Sequence, residues 1–187
     1  MKSRIKKYSG ALVALTLVLF AGVAIAGGRD FLEQRHIVRA NGYGDAATGD
    51  EDYVSLKNWA HCTILIAGTN QATATTGGVF TVQQATDVSA TGEKALTFTS
   101  YYVNTNSIVS DTWVKHTVGS ACTSPATASV MWLMAIDVEA EDLDTANSFD
   151  CMRVDQVNAD GQSLGSVYIL SAGRYMGGTP SVSAITD

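Results

Sequence analysis

Ser129-Val130-Met131-Trp132-Leu133-Met134-Ala135-Ile136-Asp137-Val138 is the stretch from which the rest of this chain is best read. Val130, Trp132, Met134, Ile136 and Val138 fall on every second position, and a strand turns alternate side chains to opposite faces. A helix would need its apolar residues three and four apart. As the most apolar run in the body of the sequence, this segment is expected to lie in the middle of a sheet.

Working outward, the same period recurs in short runs. His61 to Ala67 reads as a strand ended by Gly68-Thr69-Asn70. Gly78 to Gln84 is a second, and Lys94 to Val103 a third, with Leu96, Phe98, Ser100 and Tyr102 expected on one face. Thr112 to Val118 follows. After the apolar strand, Glu139 to Thr145 breaks the alternation and is expected to be a turn or one helical turn. Phe149 to Val157 sets Cys151, Arg153 and Asp155 against Met152, Val154 and Gln156. Leu164 to Ser171 closes the series, and Asp160-Gly161 before it reads as a hairpin turn pair. Strands of this kind, each with one apolar face, avoid water by packing one sheet on another. The expected class is all-β: a two-sheet antiparallel β-sandwich of jelly-roll or immunoglobulin-like type over residues 53–178.

The N-terminus is different in kind. Lys2, Arg4, Lys6 and Lys7 precede an uncharged stretch from Tyr8 to Gly28, which is expected to form a hydrophobic helix. Ala24-Ile25-Ala26 has the small-x-small form of a signal-peptidase site, with cleavage expected after Ala26. The same stretch is also long enough to cross a bilayer, so a retained transmembrane segment with membrane association through residues 8–28 stands beside the signal peptide. A start site placed too far upstream is the third reading. Residues 29–52 are expected to be a linker or short helix, with the domain boundary near 41–52, and residues 179–187 a flexible tail.

Charge follows the same division. Residues 1–40 hold seven Lys or Arg against Asp30 and Glu33, whereas the remainder holds five against sixteen acidic residues. An acidic body repels a phosphate backbone, which argues against direct nucleic-acid binding. The full chain is 46% hydrophobic with only two prolines, and its body lacks long charged or low-complexity runs, so the body is also not a disordered chain.

Chemical motifs are few. Gly161-Gln162-Ser163-Leu164-Gly165 matches a nucleophile elbow in letters, but His36, His61 and His116 all precede Ser163, and the motif leads into a strand rather than a helix. Adjacent His61 and Cys62 point to opposite faces of one strand and do not share an ion easily. His61 is expected to have a hydrogen-bond partner, and His116 to face solvent. Asp137, Glu139, Glu141, Asp142 and Asp144 supply carboxylates of the kind calcium needs, without an EF-hand's spacing or glycine; a solvated acidic turn is the alternative. Asp45, Asp50, Glu51 and Asp52 read the same way. Cys62 and Cys151 are expected to be small core residues. Cys122 falls in a loop and is the thiol expected to be reactive; in an exported protein one disulfide and one odd thiol would be allowed. No nucleophile triad, paired acid and base, metal set or cofactor-binding glycine pattern emerges, so no catalytic, cofactor or metal residue is assigned and an enzyme is not expected.

Several segments taken in order resemble a family of small tailed-phage and prophage structural proteins, called minor capsid or head-decoration proteins. They are Lys57-Asn58-Trp59-Ala60-His61-Cys62-Thr63, Val82-Gln83-Gln84-Ala85-Thr86 with Thr91-Gly92-Glu93-Lys94-Ala95-Leu96, Ile136 to Asp144, Phe149 to Val154, and Tyr168 to Tyr175. The resemblance covers most of residues 53–178 and leaves the N-terminal segment outside it. It implies a β-sandwich without catalytic residues that decorates or cements a viral shell. The implied partners are the major capsid protein or other virion proteins, and further copies of the chain in a homo-oligomer. Trp59, Trp113 and Tyr101 are the aromatic contact candidates, because aromatics concentrate in interface cores. An exported or surface-anchored binding or adhesion module is the other function class, and it requires the leader to be real.

Overall fold

The computed structural model describes residues 31, 35–45, 52–73, 76–117, 119–157 and 162–173. The chain divides into two units, Met1–Asp30 and Phe31–Asp187, and everything below concerns the second. The signal-peptide, hydrophobic-helix and misplaced-start readings of residues 1–28, the Asp160-Gly161 turn pair and the tail at 179–187 lie outside the described residues. The transmembrane reading is not carried further: residues 8–28 too lie outside the described residues, and among the described residues no helix is long and apolar enough to cross a membrane.

Eleven strands are described: β1 (Arg35–Asp45), β2 (Val54–Ser55), β3 (Trp59–Asn70), β4 (Val79–Ala85), β5 (Lys94–Leu96), β6 (Ser100–Asn104), β7 (Val114–Thr117), β8 (Ala121–Thr123), β9 (Met131–Glu139), β10 (Cys151–Val157) and β11 (Gln162–Gly173). They form two antiparallel sheets. The larger runs β1-β11-β3-β9-β6-β7. The smaller runs β2-β10-β4-β5, with β8 also on β4. The apolar strand β9 is interior to the larger sheet, as its composition requires, paired through Ile64↔Ile136 to β3 and Tyr101↔Ile136 to β6.

The two sheets share one core. Ile64, Ile66, Trp132, Met134, Ile136, Tyr168 and Leu170 from the larger sheet pack in the same buried cluster as Phe80, Val82, Met152 and Val154 from the smaller. Phe80 meets the Trp132 indole edge-on at 6.2 Å. Each such side chain contributes roughly 1.5–3 kcal/mol on burial, which is why the alternation is so strict in β3, β9 and β11. Tyr168 ties the sheets with polar contacts as well: its hydroxyl oxygen accepts from the Val154 N–H at 3.0 Å and its O–H donates to the Asp52 carbonyl at 3.1 Å. Gly68 is small for a reason; a Cβ there would lie 2.2 Å from the Trp132 ring.

Three sequence expectations are corrected. Lys94 to Val103 is not one strand: β5 belongs to the smaller sheet and β6 to the larger. Leu96 and Phe98 point inward before the crossing, Tyr101 and Val103 after it, so the buried parity changes from even to odd numbers. Likewise β10 and β11 lie in different sheets, so they are not the two strands of one hairpin. Finally, much of the supposed linker or helix at 29–52 is strand β1, paired to β11 with irregularities between Arg39 and Gly44. Its alternation was present, with Val38 and Ala40 buried, but Arg35 and Arg39 on the outward positions disguised it. Glu139 to Thr145 does break into short helical turns, Ala140–Asp142 and Thr145–Asn147.

Candidate functional site

Ile108, Val109, Trp113, Val114 and Met131 are all exposed, by 68%, 77%, 41%, 49% and 40%. They belong to the loop between β6 and β7, to the first residue of β7 and to the first residue of β9. The register gathers them at one end of the larger sheet, because Val103 pairs with both Val114 and Met134. Ser107 then fastens the loop to β9, its N–H donating to the Met131 carbonyl at 2.9 Å and its hydroxyl to the same oxygen at 3.3 Å.

The loop is held from inside by Asn104. This buried side chain donates to the Ser110 carbonyl at 2.7 Å and accepts from the Asn106 N–H at 3.1 Å. The Asn106 carbonyl accepts from the N–H groups of Val109 at 3.2 Å and Ser110 at 3.1 Å, and Ser110 Oγ accepts from the Thr112 N–H. Polar groups are thus spent in fixing the turn, and the apolar side chains are left on its outer side. A preformed loop loses little conformational freedom on association. Beside it, β7 is an edge strand exposed at all four residues, with His116 stacked on Tyr101 at 5.0 Å and Lys115 lying over the Tyr102 ring at 5.7 Å. An apolar patch next to an open strand edge can bind another protein surface.

Of the aromatic candidates, Trp113 lies in this patch. Tyr101 is buried beneath His116, and Trp59 packs partly buried against the core at a distance, stacked with His36. Ile108, Val109, Val114 and Met131 were missed. The signal was an Ile-Val pair inside the otherwise polar Asn106 to Thr112, where turn residues suffice.

On the outer face of the same sheet, His61 sits among polar neighbours on β9 and β11. Its Nδ1 lies 3.1 Å from Ser171 Oγ, and its Nε2 lies 3.4 Å from Asp137 Oδ1 and 3.8 Å from Glu139 Oε1. Asp137 also accepts from the Thr63 hydroxyl. A Ser-His-Asp sequence of contacts exists here, but the Asp137 and Glu139 side chains are about half exposed, at 49% and 52%. A flat, wet face offers neither substrate enclosure nor a preorganised oxyanion site. Among the described residues no group of three or more His, Cys, Asp or Glu is arranged to hold a metal ion.

The acidic residues expected as a calcium candidate are spent separately. Glu139 and Asp142 cap the first helical turn reciprocally. Asp144 pairs with Lys94 and accepts from Asn147; those hydrogen bonds, Lys94 first, hold its carboxyl below the usual carboxylate range. Ser163 lies within β11 opposite Thr69, with no partner histidine among its contacts.

All three cysteines are free and buried. Burial pushes the Cys62 thiol up and the Cys122 thiol up to about 12. Cys151 is also pushed up to about 12, by burial and then by its contact with Asp150. The expectation that Cys122 is a reactive loop thiol is therefore corrected: it is the middle residue of β8, 2% exposed, with its sulfur 3.4 Å from Met134 Sδ. Cys62 and Cys151 are small buried residues, as their strand positions implied.

No family model matches the chain, and no curated protein is significantly similar to it. Among solved structures it is similar to the SPBc2 prophage-derived protein YomS, at 9% identity and a TM-score of 0.41 over 73% of this chain and 93% of that one. It is also similar to the cleaved adhesin domain of Lys-gingipain from Porphyromonas gingivalis, at 15% identity and a TM-score of 0.20 over 73% of each chain. Likenesses this distant identify no ligand, partner or activity.

Proposed function

We propose that this chain is a non-enzymatic structural protein of a virion, decorating or cementing its shell, and that it docks through the β6–β7 tip onto the major capsid protein or another virion protein. The observation that carries the reading is the tip itself. Three large apolar side chains, Ile108, Val109 and Trp113, stand exposed on a loop whose own hydrogen bonds hold it in shape, with Val114 and Met131 exposed at the adjoining strand ends. A surface loop with no partner has no need to present Ile108, Val109 and Trp113 together. The ordered resemblance across residues 53–178 supports the virion as the setting, and the acidic body supports a protein partner over nucleic acid. Copies of the chain meeting along β7 would form a homo-oligomer by the same edge.

A second reading, an exported binding or adhesion module, is favoured by one observation: the charged start, the uncharged run from Tyr8 to Gly28 and the Ala24-Ile25-Ala26 site. Intact mass and N-terminal sequencing of the natural protein, from cell fractions and from purified particles, separate the two. A virion protein is recovered in particles at fixed stoichiometry with the shell. Recovery only from the envelope or medium, beginning at Gly27, overturns the virion reading in favour of the exported one.

A further inference from the structure

Gln156 on β10 and Ser166 on β11 are buried, at 3% and 4% exposure. Among the described residues, neither the Gln156 amide nitrogen, its oxygen, nor the Ser166 hydroxyl has a hydrogen-bond partner. The two strands belong to opposite sheets, and two cross-sheet contacts fix how they face. Tyr168 meets Val154 at 3.0 Å. Gln162 Oε1 accepts from the Gly78 N–H at 3.2 Å, and Gly78 directly precedes Val79, the partner of Val157. Ascending along β11 thus means descending along β10. Ser166, lying between Gln162 and Tyr168, is placed by this order opposite the stretch between Val154 and Val157 that holds Gln156.

We infer that this level of the sandwich is a binding site for internal water, with Gln156 and Ser166 as its walls. A buried amide and hydroxyl without partners are costly to keep. A buried water makes about three hydrogen bonds to such groups, and here one donor, one acceptor and one hydroxyl are available from two strands. The remaining inward residues nearby, Val154, Leu164 and Tyr168, bring no competing free polar group, since the Tyr168 hydroxyl is engaged on both sides. The water would bridge the sheets where their side chains do not reach each other.

A double-mutant cycle on the full chain, with Ser166→Ala and Gln156→Met, tests this by thermal unfolding. A shared water makes each single change lower Tm by about 2–4 °C, the shift that loss of roughly one hydrogen bond gives in a chain of this length. The double variant then falls by less than the two single shifts together. If either single change raises Tm, or if the shifts add, the two groups share no ligand and the inference fails. A high-resolution crystal structure gives the second readout. Density for a water within hydrogen-bond distance of both side chains supports the site; a direct Gln156–Ser166 bond or a dry gap overturns it.

Discussion

Asn70 accepts with one carbonyl oxygen from the Trp132 indole at 2.8 Å and from Gln162 at 2.8 Å. Its amide hydrogens go to the carbonyls of Pro125 and Thr127. Truncation to alanine would strand several buried partners at once, each costing about 1–3 kcal/mol. Asn70→Ala is therefore expected to lose roughly 3 kcal/mol or more in urea unfolding. Gly68→Ala should be nearly as damaging, because the added Cβ meets the Trp132 ring at 2.2 Å and the backbone of a central strand cannot retreat. The thiols give a third test at this scale. With Cys122 and Cys151 held near 12 and Cys62 also raised, almost none is thiolate at pH 8. Native protein is expected to resist thiol-reactive dyes and to label fully only when unfolded; fast native labelling of any one would contradict the burial.

Strands β3, β9, β10 and β11 were legible because each presents an inward apolar face through period two, and the apolar run around Trp132 announced a central position. What escaped was where the chain changes sheets. Between Phe98 and Tyr101 the inward parity shifts without any residue that advertises it, so two strands read as one. Strand β1 escaped because Arg35 and Arg39 occupy its outward positions, and β2 and β8, of two and three residues, are too short to show a period. The docking candidate was legible only in part: Trp113 is an aromatic and stands out in the sequence, whereas bringing Met131 to the loop takes the β6–β9 pairing and the Ser107 hydrogen bonds. Outside the smaller sheet, the β4–β5 connection is fixed by a small polar cluster. Glu93 accepts from the Tyr53 hydroxyl at 2.6 Å and pairs with the buried Arg153 at 3.0 Å. Glu93→Gln is expected to cost about 1–3 kcal/mol and to speed hydrogen exchange selectively across residues 86–93. An unchanged exchange pattern would mean that the loop is held by its apolar contacts under Tyr53 alone.

At the scale of the described residues, two sheets share one core, and all three cysteines are buried. The raised thiols make stability depend on alkaline pH with a definite sign. Each folded thiol stays protonated beyond the value near 8.5 at which an unfolded one ionises. That contribution is complete below about pH 8.5 and declines as pH rises toward 12. A protein with the cysteines replaced by alanine should show a shallower alkaline decline, measured by urea unfolding across pH 8 to 11. The proposed docking rests elsewhere, on the apolar β6–β7 tip, whose loop is held by its own hydrogen bonds. The most direct test is co-sedimentation of the purified chain with shells lacking it, comparing the natural tip with Val109→Asp and Trp113→Ser together. Neither side chain belongs to the core cluster, so unfolding curves should overlay. Binding at saturable stoichiometry is expected for the natural tip, and a loss of at least tenfold in affinity for the altered one. Equal binding by both, with folding intact, would contradict the assignment of the β6–β7 tip as the docking surface.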